Sequence, residues 1–262
     1  MTEFRPGNFQ ILPTIIKNLL IINVLVFIAQ STIGNGNTFF EDNFALHTWQ
    51  SGLFKPWQFF TYMFLHGGID HILFNMFALW MFGSILENLW GPKRFIIFYL
   101  VCGLGAALCH MIVLYFQNQT MIEHFDVINA SAGNSIAQIN DFIAKYGDGL
   151  TTTSGAPIPI TVDGAHAVMN ANLDIPTLGA SGAIFGCLAA FGYLFPNNYI
   201  YLYFFFPIKA KWFVLGYAAV ELYMAVKSSA GDGVAHVAHL GGALVGIILV
   251  YYWNKKNRRN FY

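Results

Sequence analysis

Ser181 stands in Gly179-Ala180-Ser181-Gly182-Ala183-Ile184-Phe185-Gly186, a hydroxyl among small residues at the head of an apolar stretch. His239 opens a second such stretch, His239-Leu240-Gly241-Gly242-Ala243-Leu244-Val245-Gly246. Ionisable side chains are costly in lipid and mark functional positions by default. A serine hydroxyl becomes a nucleophile when a neighbouring base takes its proton, and imidazole, with an unperturbed pKa of about 6.5, suits that task near neutral pH. A third polar pair, His71 and Asn75, is spaced i, i+4, which sets both on one face of a helix. With the backbone amide of Ser181, they offer donors for the oxyanion that forms when a carbonyl is attacked. The chemistry these residues suggest is acyl transfer, with Ser181 as nucleophile and His239 as general base. It calls for no metal and no cofactor.

The elements that must hold these residues follow from composition. Hydrophobic residues make up 56% of the 262, charged residues 10%, and the mean hydropathy is +0.53. That is too apolar for a water-soluble domain and implies an integral membrane protein whose surroundings are the lipid bilayer. The formal net charge is +0, and no basic stripe exists outside the tail Lys255-Lys256-Asn257-Arg258-Arg259, so nucleic acid is not an expected partner. Cys102, Cys109 and Cys187 lie in apolar segments without CxxC spacing, which argues against disulfides and zinc and for packing.

A hydrocarbon core of about 30 Å needs about 20 helical residues per crossing. That ruler divides the chain into six segments, near Pro13–Ile33, Ile69–Leu89, Phe95–Phe116, Leu178–Phe195, Lys211–Lys227 and Ala235–Trp253. The expected fold is therefore an all-α membrane protein, a bundle of six transmembrane helices with a long outer loop, 117–177, between helices 3 and 4. Residues 1–12 form a cytoplasmic N-terminus, 13–253 the helical domain and 254–262 a basic cytoplasmic tail. With the N-terminus inside, Arg5, Lys93, Arg94, Lys209, Lys211 and the basic tail all fall on the cytoplasmic side. In the outer loop, Ile136, Ile139, Ile143 and Tyr146 recur at near-helical spacing with Gly147 following, which predicts a short amphipathic helix on the outer interface. Tyr203–Phe206 is expected to be an interfacial aromatic belt.

Helix arithmetic then sets the candidates at one depth. Ser181 is roughly 13 residues from the inner end of its segment and His239 roughly 14, which puts both about 20 Å above the cytoplasmic boundary and about 10 Å below the outer one. His71 and Asn75 reach a similar level. Gly182 and Gly186, like Gly242 and Gly246, follow the small-xxx-small spacing that lets membrane helices approach closely, as a two-helix dyad requires.

These motifs, in this order, resemble the rhomboid family of intramembrane serine proteases: His-x-x-x-Asn at His71 and Asn75, Gly-x-Ser-x at Gly179 to Gly182, and His-x-x-Gly-x-x-x-Gly at His239, Gly242 and Gly246. Gly83 to Gly91 is similar to the family's stretch after the second helix. The resemblance implies a catalytic dyad of Ser181 and His239 without a third acidic member, an oxyanion hole lined by His71 and Asn75, and Phe185 packed beside the histidine ring. It implies transmembrane proteins as substrates. Two departures stand out: Trp57-Gln58 where the family commonly has Trp-Arg, and the length of 117–177.

Several residues invite competing readings. His236, one turn before His239, is a rival base without the downstream glycine spacing. His66 belongs to the outer loop, and Glu87 and Glu221 read as structural hydrogen-bonding groups. Ser228–Val234, rich in small residues, is a candidate mobile cap. Two other functions remain open, a catalytically silent binder of transmembrane segments and a transporter using His71, His239 and Glu221 as a polar pathway. The compact plan without a recognisable organelle-targeting extension points to a bacterial cytoplasmic (inner) membrane.

Overall fold

The computed structural model describes residues 9–33, 38–130, 135–152, 154–202, 205–227 and 236–259. Eight helices carry the architecture: α1 (Thr14–Ile33), α2 (Ile69–Trp90), α3 (Pro92–Ala130), α4 (Ile136–Tyr146), α5 (Val162–Leu173), α6 (Ser181–Leu194), α7 (Ala210–Lys227) and α8 (His236–Arg259). Short helical turns at Phe39–Phe44, Gln58–Thr61 and Tyr62–Phe64 lie between α1 and α2. Among the described residues four helices, α1, α2, α3 and the His236–Lys255 part of α8, are long and apolar enough to cross a membrane, and α6 is a shorter apolar helix. The protein is a predominantly helical integral membrane protein.

Packing places α6 at the centre. Nearly every residue from Gly182 to Gly192 is buried, so this helix is apolar all round because protein surrounds it on all sides. Its 14 residues rise only about 21 Å, less than the bilayer core. The first residue, Ser181, can therefore lie below the outer membrane surface. Contact with α3 and α8 is through glycines. A Cβ on Gly182 would stand 2.6 Å from Ala106 Cβ, and one on Gly186 would stand 2.6 Å from Cys102 Sγ. On the other side, a Cβ on Gly242 would overlap the Gly182 carbonyl, and one on Gly246 would come within 2.7 Å of Gly186 O. The small-xxx-small stripes thus let α6 and α8 meet backbone to backbone. Cys102, Cys109 and Cys187 are free thiols, and Cys102 and Cys187 are fully buried in this packing.

The second crossing is interrupted by a π-helical turn at Leu79–Gly83. A side chain at Gly83 would meet Ile16 Cδ1 at 2.5 Å, so the turn presents a bare backbone to α1. One turn later both Glu87 oxygens accept backbone amides at the start of α1, from Ile15 and Ile16 at 2.9 Å each. This buried carboxylate satisfies two orphan donors and complements the positive end of the helix dipole.

The outer segment differs from the loop expected over 117–177. No Gly or Pro interrupts residues 117–130, so α3 runs on for 39 residues, about 58 Å, far beyond the bilayer thickness. Its extension turns Met121, Phe125 and Ile128 toward Ile139 and Phe142 of α4 and Ala165 and Val168 of α5, forming a second hydrophobic core. The helix expected at Ile136–Tyr146 is present and Gly147 caps it, but its buried residues, Ile139 and Phe142, face this core. Among the described residues the departure from an all-α chain is an antiparallel pair of strands, β1 (Tyr199–Leu202) with β2 (Phe206–Lys209), in which Tyr199 pairs with Lys209. Tyr199, Ile200, Tyr201, Phe206 and Ile208 are residue types that favour strand over helix. The cap candidate Ser228–Val234 and Tyr203–Phe204 lie outside the described residues. The basic tail is a continuation of α8, which ends at Arg259.

Candidate functional site

The chain enters α6 through a tight connection. Leu46 and Thr177 exchange two backbone hydrogen bonds of 2.8 Å, and Gly179 N donates to Tyr62 O at 2.9 Å. Gly179 has φ +129°, a conformation that disfavours any side chain. A Cβ there would lie 2.9 Å from His71 Nε2 and 3.6 Å from Ser181 Oγ. The missing methyl thus leaves a small space between an imidazole nitrogen and a hydroxyl. At the head of α6, the backbone amides of the first turn have no intrahelical partner and the dipole is positive. A developing negative charge in that space would be stabilised from both sides.

Ser181 Oγ is 2.8 Å from His239 Nε2. The His239 ring stacks on Phe185 with centroids 4.2 Å apart and planes 5° from parallel, and Phe185 in turn packs on Tyr217. Serine and aromatic ring are one turn apart on α6, so one helix positions both the hydroxyl and the surface that orients its base. His71 Nδ1 accepts the Gly67 amide at 3.3 Å, which leaves Nε2 to carry the proton of the neutral ring. Asn75 is 6% exposed and its Nδ2 has no protein partner among the described residues. His71, Asn75, Ser181 and His239 all line one cavity of about 1320 Å³, whose lining also includes Met121, Tyr146 and Leu173 of the α3–α5 unit.

Among the described residues, none of the rival histidines contacts the Ser181 hydroxyl as His239 does. His236 Nδ1 lies 2.7 Å from Glu221 Oε2 rather than on the serine. His66 is buried beside His71, ring centroids 5.1 Å apart, and burial together with that neighbour lowers its pKa to about 4. It therefore stays neutral at physiological pH and places no cation beside His71. Glu87 is bound to α1, remote from the cavity lining. Glu221 is the residue whose place the sequence reading missed. Its Oε2 is also 3.0 Å from His239 Nδ1. The donor atoms of Glu221, His236 and His239 lie within 4.8 Å of one another, close enough to hold a metal ion. The signal in the sequence was the lone carboxylate in the apolar run Trp212–Val226, read against two histidines at i, i+3 in α8.

A family model for the rhomboid domain matches residues 53–140 and 156–256, most of the chain. The protein belongs to the rhomboid family. Among similar proteins, Rhomboid protein 1, mitochondrial, of Saccharomyces cerevisiae is 40% identical over 80 residues, 30% of this chain and 23% of its own. Rhomboid protease GluP of Bacillus subtilis is 29% identical over 103 residues, 38% of this chain and 20% of its own. RHOMBOID-like protein 12, mitochondrial, of Arabidopsis thaliana is 25% identical over 236 residues, 89% of this chain and 56% of its own. These matches cover from about a fifth to just over half of each relative's length.

At Trp57-Gln58, where the resemblance leads one to expect Trp-Arg, the glutamine is fully buried. Its Oε1 accepts the His47 and Lys55 amides at 3.3 and 3.1 Å, and its Nε2 donates to Leu53 O and Asp42 O at 2.9 and 3.3 Å. A neutral amide thus satisfies the turns of the first outer segment through donors and acceptors together, which a guanidinium, a donor alone, cannot do.

Proposed function

We propose that this rhomboid is an active intramembrane serine protease that hydrolyses peptide bonds in or near the transmembrane segments of membrane proteins. The carrying observation is the 2.8 Å contact between His239 Nε2 and Ser181 Oγ inside a cavity that also holds Asn75, whose Nδ2 has no partner among the described residues. His239 removes the hydroxyl proton as Oγ attacks the carbonyl carbon, and the oxyanion is received by His71 Nε2–H, Asn75 Nδ2–H and the Ser181 amide. The imidazolium returns its proton to the leaving amine, and the acyl-enzyme remains on Oγ. Water, deprotonated by His239, then attacks the ester, releases the acid and restores the serine. Gly179 keeps the oxyanion space open, and Gly182, Gly186, Gly242 and Gly246 hold α6 and α8 close enough for the dyad.

The proposed membrane plan is six crossings, α1, α2, the inner part of α3, α6, α7 and α8, with both termini cytoplasmic and residues 117–177 on the outer face. A bacterial inner membrane fits the charge pattern. Relatives that include mitochondrial proteins make that location part of the proposal.

The test is cleavage of a transmembrane peptide by detergent-purified wild type, Ser181→Ala and His239→Ala, alongside labelling with a fluorophosphonate. Wild type should cleave and label, Ser181→Ala should do neither, and His239→Ala should lose at least about 10³-fold. Labelling that survives Ser181→Ala would sink the reading. Inactivity of all three proteins would favour a silent binder of transmembrane segments.

A further inference from the structure

The helix α7 faces outward along most of its length: among its described residues, Ala210 and Glu221 are the buried ones. A carboxylate that is 4% exposed, in the middle of a helix otherwise dominated by apolar side chains, has to be held by partners or it would not be tolerated. Its partners are the two imidazoles of α8, His236 Nδ1 at 2.7 Å and His239 Nδ1 at 3.0 Å, both on Oε2. An ionised carboxylate can only accept, so each of these ring nitrogens must carry a hydrogen. For His239 that has a direct consequence. With Nδ1 protonated, the neutral ring presents a bare lone pair at Nε2, the atom 2.8 Å from Ser181 Oγ.

Building on the proposed protease reading, we infer that Glu221 is a positioning residue that completes a Ser181–His239–Glu221 triad. It fixes the tautomer of His239, holds the ring against Phe185 and stabilises the imidazolium that forms during acylation. The general rule is that removing the acceptor behind a catalytic histidine leaves the geometry in place but populates the wrong tautomer. His236, donating to the same oxygen, anchors that carboxylate between the helices. The arrangement differs from the two-residue machinery that the family resemblance implies. It also ties the site to α7, an element that carries neither serine nor base.

The experiment compares wild type, Glu221→Gln, Ser181→Ala and His239→Ala on a transmembrane peptide in detergent. Glu221→Gln should lower kcat by about 10²–10⁴-fold with KM within about twofold, because the tautomer matters only to the chemical step. A kcat within about threefold of wild type in Glu221→Gln, with Ser181→Ala and His239→Ala inactive, overturns the triad and leaves the protease reading intact. Full activity in Ser181→Ala removes the protease reading itself. Should Glu221→Gln fail to fold, ¹⁵N-imidazole NMR of wild type decides: the resonances missing from His239→Ala must report Nδ1–H and unprotonated Nε2, and Nε2–H overturns the inference. Loss of wild-type activity on adding EDTA, restored by zinc, would also overturn it in favour of a metal on these three side chains.

Discussion

Among the described residues two hydrophobic cores form, and although the bundle core also buries Tyr62, Phe95, Phe98 and Tyr99, its seam around α6 is built differently from the second core. In the bundle, α6 meets α3 and α8 through Gly182, Gly186, Gly242 and Gly246, and the contacts are with backbone or with the first atoms of side chains. In the outer unit, α3 beyond residue 117, α4 and α5 meet through large side chains such as Phe125, Phe142 and Met121. In lipid, burial of apolar surface gives no drive for helices to associate, so close approach and dispersion must hold them. On the proposed membrane plan the α3–α5 unit lies outside the bilayer, where the ordinary hydrophobic effect acts and bulky residues supply the buried area. The bundle should therefore be intolerant of added volume and the outer unit intolerant of its removal.

The largest effect should come from Gly242→Leu. A Cβ at this position already overlaps the Gly182 carbonyl, which as helix backbone cannot rotate away. The helices must separate, which pulls His239 from Ser181. Overpacking of side-chain cores costs about 1–3 kcal/mol, and a backbone clash should exceed that. Loss of both fluorophosphonate labelling and the cooperative melting transition is expected. A variant that melts within a few degrees of wild type and labels normally would erase the proposed difference between the cores.

Phe142→Ala should act in the opposite way. The ring is fully buried and touches Phe125 and Tyr146 with centroids 5.9 and 4.8 Å apart. Truncation of a buried Phe costs about 3–5 kcal/mol, here drawn from a small core that has no surplus. Hydrogen exchange should accelerate across α4 and α5, while α6 and α8 remain protected and Ser181 labelling stays within about threefold of wild type. Loss of labelling equal to that of Gly242→Leu would show that the two cores fold as one.

The same contrast explains how much could be read from the chain. Four of the six expected crossings fall on long apolar helices, and the candidates Ser181, His71 and His239 could be picked out, because lipid imposes a ruler on apolar length and punishes stray polar groups. Glu87 and Glu221 stood out equally, but the ruler measures depth and not direction. Only tertiary contact reveals that Glu87 binds α1 and Glu221 turns to His239. The continuation of α3 past 116 was hidden because Gln117, Asn118 and Gln119 mark the end of the apolar run without ending the helix. The strand pair Tyr199–Leu202 with Phe206–Lys209 was hidden for a related reason: its aromatic residues suit a membrane interface and a strand alike.

The smallest effect should sharpen the comparison further. Thr161 caps α5: its Oγ1 accepts the Gly164 amide at 3.0 Å, and its backbone is extended at φ −137°, ψ 164°. Loss of such a cap costs about 1 kcal/mol, and serine can replace threonine at little cost. Thr161→Ala should therefore raise the exchange rate of amides in the first turn of α5 by about fivefold, and Thr161→Ser should restore it. Neither should change the rate of Ser181 labelling, because the cap supports the unit beside the cavity and not the glycine contacts beneath it. A labelling rate that falls with Thr161→Ala and recovers with Thr161→Ser would mean that the outer unit sets the geometry of the serine, and that the division between the two cores does not extend to function.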